Sequence, residues 1–119
     1  MIKSWRSFNL GAYDAAVAAG CDLSVLDDIR RDGRVPGALW HIYDACDAEK
    51  IRELLKRVAR EKNIPLARRT DPIHDQQTYL DGELRGRLLK EYNVKGYSFV
   101  QCDGDAVFIP AGAPHQVLF

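Results

Sequence analysis

The chain has 119 residues, which is enough for one small domain and too few for two. Basic and acidic side chains balance at 17 each, which argues against a broad nucleic-acid surface or a polybasic membrane patch. We therefore expect neither direct DNA binding nor membrane attachment, and no apolar run predicts a signal peptide or a membrane span. The 3 cysteines form no C-x-x-C pair, which favours reduced thiols in a cytoplasmic or nuclear protein over a disulfide scaffold or zinc site.

Residues 1–34 contain two stretches with helical patterns and no side chains that indicate chemistry. The alanine-rich stretch Ala12–Ala19 predicts a short helix. Asp22 is predicted to cap a second helix, Leu23–Arg31. One side of that helix is apolar and consists of Leu23, Leu26 and Ile29. We interpret residues 1–34 as a helical N-terminal segment with no assigned function.

After residue 34 the pattern predicts a strand followed by a long amphipathic helix. Pro36-Gly37 makes a turn, and the apolar run Ala38–Tyr43 is typical of a buried strand. Asp47 is predicted to cap a helix that runs from Ala48 to about Lys62. Its apolar residues recur at the spacing of one helical face: Ile51, Leu54, Leu55, Val58 and Ala59.

A second helix is predicted at Gly82–Tyr92, beyond a polar loop. Asp81 is placed to cap its start, and Asn93 is expected to end it in the left-handed conformation. Two helices between strands, without a regular strand–helix repeat, indicate an α+β fold in which helices decorate a barrel.

The last 23 residues predict a hairpin. The alternating run Tyr97–Cys102 predicts one strand, and Asp103-Gly104 is a tight-turn signal. Residues 105–109, which are apolar after Asp105, then predict a returning strand that pairs with the first.

His115 is the candidate functional residue. It follows Pro110–Pro114, a segment with two fixed φ angles and one glycine that bends the backbone and holds it. It is predicted to lie at the head of a short apolar strand, Gln116–Phe119. A histidine held in one direction at a strand mouth suits a metal ligand. The alternative is a buried or capping histidine in an ordinary hairpin, and the spacing alone leaves both readings open.

Several segments together resemble a known family. The spacing of Gly104, Pro110, Gly112 and His115 is similar to the second motif of the cupin superfamily. The sequence of residues 108–117 resembles the distal iron-binding histidine segment of JmjC-domain histone lysine demethylases, in the Hairless-related subfamily that acts on histone H3 lysine 9. Four further segments resemble that subfamily in order and at compatible spacing: Pro36–Tyr43, Lys50–Leu55, Asp71–Gln76 and Arg87–Tyr92.

The resemblance implies a partial double-stranded β-helix with two inserted helices and an incomplete barrel, covering residues 35–119. The family binds Fe(II) through two histidines and one carboxylate, and this leaves open positions for its co-substrate 2-oxoglutarate and for O2. His115 matches the distal histidine of that set. The family hydroxylates the methyl carbon of a methyl-lysine, which then leaves as formaldehyde. The implied partner is the histone H3 tail, and the implied location is the nucleus.

The chain departs from the family pattern at the other two iron ligands. These are expected from a His-x-Asp motif, but neither His41 nor His74 has aspartate two residues later. We therefore predict that His41 is a core or sheet histidine and that His74 lies in a loop near the cleft. No catalytic residue and no 2-oxoglutarate-binding residue is transferred from the family.

Three hypotheses about function follow. In the first, the chain is part of a JmjC Fe(II)- and 2-oxoglutarate-dependent demethylase, and on its own it binds no cofactor and is inactive, because a single histidine lacks both the chelate and the charge of a carboxylate. In the second, it is a non-catalytic JmjC-like interaction or corepressor module, which the missing His-x-Asp favours. In the third, it is an unrelated cupin-like metal or ligand binder.

Overall fold

The architecture is one open four-stranded sheet with helices packed mainly on one face. The computed structural model describes residues 2–3, 17, 21–34, 36–65, 71–74 and 78–118. The strands are β1 (Ile2–Lys3), β2 (Pro36–Ile42), β3 (Tyr97–Cys102) and β4 (His115–Leu118). The helices are α1 (Leu23–Arg31), α2 (Ala48–Glu61) and α3 (Gly82–Tyr92), with a 3-10 turn at Ala45–Asp47.

Strand β2 is the centre of this sheet, whose order is β1-β4-β2-β3. Strands β3 and β4 pair antiparallel with its two edges, and β1 adds a short parallel pairing to β4. Helices α2 and α3 both lie between β2 and β3 in the chain. The described residues therefore confirm the α+β class, the two inserted helices and a sheet that does not close into a barrel.

The main core forms between the sheet and the helix pair. Side chains alternate across a strand, so odd-numbered positions of β2 face the helices, and Tyr43, just beyond it, packs in the same cluster as Leu54 and Leu88. The predicted apolar face of α2 is buried at all of its positions: Ile51, Leu54, Leu55, Val58 and Ala59. Each such side chain contributes about 1.5–3 kcal/mol when fully removed from water, so this face decides where α2 lies.

Two of the three predicted helix caps are confirmed. Asp22 and Asp81 are both extended, and their carboxylates accept hydrogen bonds from the backbone N–H groups of Ser24 and Leu84. Asn93 ends α3 in the left-handed conformation, at φ 54°. The prediction for Asp47 is wrong, because its backbone is already helical (φ −93°, ψ 0°) and its side chain makes no capping bond. A side-chain cap requires extended backbone at that position.

The N-terminal predictions have a mixed outcome. Helix α1 has the predicted bounds, and Leu26 and Ile29 are buried, but Leu23, expected on the same side, is 55% exposed. The predicted helix Ala12–Ala19 lies outside the described residues, apart from Val17.

The predicted hairpin at the end of the chain is wrong. The turn forms, since the N–H of Asp105 donates to the carbonyl of Cys102 over 3.0 Å, but residues 105–110 are not a strand. The Asp105 carboxylate accepts from the N–H of Cys102 and pairs with Arg34. Strand β3 already uses one edge for β2, and the segment after the turn crosses to the other side of β2 to form β4.

The contact between Gly96 and the ring of Tyr43 leaves no space for a side chain. A Cβ at position 96 would lie 2.6 Å from Cε1 of Tyr43 and 2.8 Å from the carbonyl oxygen of Ile42. We predict that Gly96→Ala lowers the free energy of unfolding by about 1–3 kcal/mol, because the buried ring and the β2 backbone must shift. Denaturant unfolding measures the change.

Gly86→Ala is the matched control for that variant. Gly86 lies inside α3, and a Cβ there would have nothing within 4 Å. We expect this change to stabilise the protein by about 0.5–1 kcal/mol, because alanine loses less backbone entropy in a helix than glycine does. Equal effects of the two substitutions would contradict the packing at Gly96.

Candidate metal centre

The loop before β4 determines where His115 lies. The N–H of Ala113 donates to the carbonyl of Pro110 over 3.1 Å, and Gly112 takes a φ of 74° that a residue with a Cβ rarely adopts. The carbonyl of Pro114 then accepts from the N–H of Tyr43 over 2.8 Å. This bond docks the loop onto the end of β2, so His115 starts β4 directly opposite Ile42.

The imidazole of His115 is oriented by its own loop. Its Nδ1 lies 3.1 Å from the carbonyl oxygen of Ala113, and a carbonyl can only accept. Nδ1 therefore carries the hydrogen, and Nε2 is the nitrogen left with a lone pair. Metal-binding histidines typically donate their second ring N–H to a backbone carbonyl or carboxylate in this way. The residue thus fits the role of one metal ligand, with Nε2 as the coordinating atom.

Aromatic side chains form a wall beside this histidine. The ring of Trp40 lies 6.0 Å from that of His115, and on its other side it stacks on Phe99 at 6.2 Å with an interplanar angle of 6°. The indole N–H of Trp40 donates to Oε1 of Gln101 over 2.8 Å, which fixes the rotation of the ring. These side chains share the face of the sheet that is opposite to the main core.

His115 opens into a cleft of about 300 Å³. The cleft is lined by the loop before β4, by Arg52 from α2, and by Ile73 and His74 from the short turn at Asp71–His74. His74 has a side chain that is 82% exposed, so the prediction of a loop histidine near the cleft is confirmed. Sequence analysis did not identify Arg52 as a cleft residue, because nothing in a helix pattern indicates which distant loop a polar side chain meets.

Arg52 holds the Asp71–His74 turn against α2. Its Nε and one terminal nitrogen each lie 3.2 Å from a carboxylate oxygen of Asp71, and it also pairs with Glu49. The Asp71 carboxylate accepts a further bond from the N–H of Ile73 over 2.9 Å. The hydrogen bonds from Arg52 lower the pKa of the Asp71 carboxyl below its ordinary value of 3.8, so the pair stays ionised at neutral pH.

The other iron ligands of the family pattern do not converge on His115 in the described part of the chain. His41 is 2% exposed and lies on the opposite face of β2, in agreement with the prediction of a core or sheet histidine. Among the described residues, Asp44, Cys46 and Asp47 place potential ligand atoms within 4.8 Å of one another, and His115 is not part of that group. Among the described residues, no group of three or more potential ligands includes His115, although His74 lines the same cleft.

Comparison with known proteins defines the class. The chain belongs to the JmjC domain family: the family profile described as "JmjC domain, hydroxylase" matches residues 23–119. The match includes α1, which sequence analysis placed in the separate N-terminal segment. None of the helices in the described part of the chain is long and apolar enough to cross a membrane.

The chain is similar to several proteins named as lysine demethylases. Lysine-specific demethylase 3 of Drosophila melanogaster is 59% identical over 98 residues, which cover 82% of this chain and 12% of that protein. Lysine-specific demethylase 3A of Homo sapiens is 62% identical over 82 residues, covering 69% of this chain and 6% of that protein. The "Probable JmjC domain-containing histone demethylation protein 2C" of Homo sapiens is 46% identical over 97 residues, which cover 77% of this chain and 4% of that protein.

These comparisons confirm the resemblance to JmjC lysine demethylases as a matter of homology. The chain spans 12% or less of the length of each of these three relatives, so the similarity concerns one part of much longer proteins.

The ion pair beside the cleft leads to a prediction about acid stability. Asp71→Asn should lower the free energy of unfolding by about 1 kcal/mol at neutral pH, because Arg52 loses its charged partner. Since the folded-state pKa of Asp71 is lowered, its contribution is fully present above the unfolded-state pKa and disappears as the pH falls through the folded-state pKa. Denaturant unfolding at several pH values should therefore show the difference from the wild type shrinking below about pH 4.

Asp28→Asn is the control for the ion pair. Asp28 pairs with Arg31 on α1, but both side chains are well exposed, at 63% and 75%. We expect the free energy of unfolding to change by no more than about 0.5 kcal/mol at neutral pH. A pH-independent effect of Asp71→Asn would show that the carboxylate charge does not hold the turn.

Proposed function

We propose that this chain forms part of a JmjC Fe(II)- and 2-oxoglutarate-dependent histone demethylase and supplies His115 as the distal histidine ligand of its iron. The observation that carries the proposal is the orientation of His115 within a chain of this family. The ring faces a cleft, and its Nδ1–H is held by the Ala113 carbonyl so that Nε2 is available.

The residues of this chain would hold and shield the metal. When bound, Fe(II) with 2-oxoglutarate supplies the oxidation of the substrate methyl group. His115 would contribute Nε2 in a fixed direction, because its Nδ1–H donates a hydrogen bond to the Ala113 carbonyl. The ring of Trp40, stacked on Phe99, would pack beside the imidazole of His115.

The proposed substrate is a methylated lysine of the histone H3 tail, at lysine 9. The names of the relatives, lysine-specific demethylases and a probable histone demethylation protein, support a methylated lysine and a histone. The choice of histone H3 lysine 9 depends on the resemblance of residues 108–117 to the subfamily that acts there. A histone substrate further supports a nuclear location for the protein.

The isolated 119-residue chain should have no demethylase activity, because the sequence contains no His-x-Asp to supply the second histidine and the carboxylate. The assay mixes purified chain with a methylated histone H3 tail peptide, Fe(II) and 2-oxoglutarate, and measures released formaldehyde. Formaldehyde above the level of a heat-denatured control would contradict the prediction.

The role of His115 is tested in a protein that carries this chain together with a His-x-Asp segment. His115→Ala should abolish formaldehyde release and weaken Fe(II) binding, measured anaerobically, by at least about tenfold. Leu89→Ala, a change at a half-exposed position of α3, is the control and should leave both intact. Unchanged iron binding in His115→Ala would disprove the proposed role.

A second candidate function is a non-catalytic JmjC-like interaction or corepressor module. The absence of His-x-Asp from the sequence is the observation that favours it. The genomic sequence on either side of this reading frame distinguishes the two. An in-frame upstream segment encoding His-x-Asp supports the enzyme, and a transcript with the ends of this chain supports the module.

A further inference from the structure

Gln116 is a buried polar residue next to the candidate metal ligand. It follows His115 in β4, and side chains alternate along a strand, so it points to the opposite face of the sheet. Its side chain is 0% exposed. A buried amide without hydrogen-bond partners destabilises the folded protein, whereas one with all its partners can select a single arrangement of the core.

The side-chain amide of Gln116 makes hydrogen bonds with both the N–H and the carbonyl of Leu80. Its Oε1 accepts from the N–H of Leu80 over 2.9 Å, and its Nε2 donates to the carbonyl of Leu80 over 2.9 Å. Nε2 also lies 3.3 Å from Nδ1 of His41, which is the residue opposite Gln116 in β2. These contacts assign the amide orientation, because the flipped amide would set donor against donor at the Leu80 N–H.

Hydrophobic burial alone does not specify the register of β4. The strand has only 4 residues, and its two apolar members, Val117 and Leu118, point to opposite faces while both are buried, at 4% and 5% exposure. A slip of one residue would exchange them and turn His115 toward the core. A slip of two residues would keep the faces but move His115 away from Ile42. Both slips remove Gln116 from Leu80.

We propose that Gln116 is a positioning residue. Its two hydrogen bonds to the backbone of Leu80 hold β4 in the one register in which His115 points into the cleft. A buried polar side chain can select a single register in this way when apolar packing tolerates several. The consequence for metal binding rests on the function proposed above for His115. The effect on register and on ring orientation does not.

The hydrogen bonds between Gln116 and Leu80 also connect β4 to α3. Leu80 is itself 0% exposed and directly precedes Asp81, the residue that caps α3. Helix α3 is tied to α2 by the pairing of Arg87 with Glu61, at 2.9 Å. Arg52 on α2 lines the cleft in turn. These contacts connect β4, through Leu80, to the start of α3, and α3 to α2.

The experiment compares Gln116→Met with Leu118→Ala in the 119-residue chain without metal. Methionine keeps the length of the side chain but makes neither bond to Leu80, whereas Leu118→Ala removes buried apolar contacts from β4 and leaves the amide in place. Nitrogen-15 NMR of the imidazoles reports which ring nitrogen of His115 carries the proton, and hydrogen exchange reports the Leu80 amide.

The wild type should show a single His115 form protonated at Nδ1 and a protected Leu80 amide. Gln116→Met should show mixed ring protonation and exchange of the Leu80 amide that is roughly tenfold faster or more. Leu118→Ala, although less stable overall, should keep the single His115 form. The proposal would be overturned if His115 kept a single ring form, protonated at Nδ1, in Gln116→Met. It would also be overturned if Leu118→Ala lost that single form to the same extent.

If Gln116→Met does not fold, exchange in the wild type provides the test. Amides that open in one event lose protection with the same dependence on denaturant. The Leu80 amide and the amides of β4 should share that dependence, and different slopes would overturn the proposal. Because no readout involves a metal, a failure here leaves the iron ligand hypothesis untouched, and unchanged iron binding in His115→Ala would leave this inference standing.

Discussion

The pairing of β4 with β2 is the constraint on which the rest of this structure depends. Strand β4 has only four residues, yet it places His115 on one face of the sheet and Gln116 on the other. On the first face lie the cleft and the stacked ring of Trp40. On the second face, the amide of Gln116 ties the strand to the segment that starts α3. The short pairing of β4 with β2 therefore positions both the candidate ligand His115 and the Gln116 amide that anchors the strand.

The candidate chemistry in the described residues depends on the oriented imidazole of His115. The bond from Nδ1 to the Ala113 carbonyl selects the ring nitrogen that can coordinate a metal. An iron site of the family type also needs a carboxylate, which offsets part of the metal charge and completes the chelate. Residues 23–119, which include His115, match the JmjC family.

Local patterns predicted the helices and their caps well and predicted the chain path poorly. The apolar face of α2 and the caps at Asp22 and Asp81 depend on residues within one or two helical turns, so the sequence pattern predicts them. Asp103-Gly104 does form a turn, but a turn signal does not say which strand lies beyond it. Strand β3 pairs with β2, which comes about 60 residues earlier in the chain, and the segment beyond the turn pairs with the other edge of β2.

The sequence by itself determined the α+β class, the bounds of the helices and His115 as the candidate ligand, because periodicity, caps and a proline-rich turn act over short distances. The tertiary structure alone decided that residues 105–110 cross to the far edge of β2, that Arg52 meets Asp71, and that Gln116 grips Leu80. These contacts join residues far apart in the chain, and they form only when packing of the helices on the sheet brings their elements together.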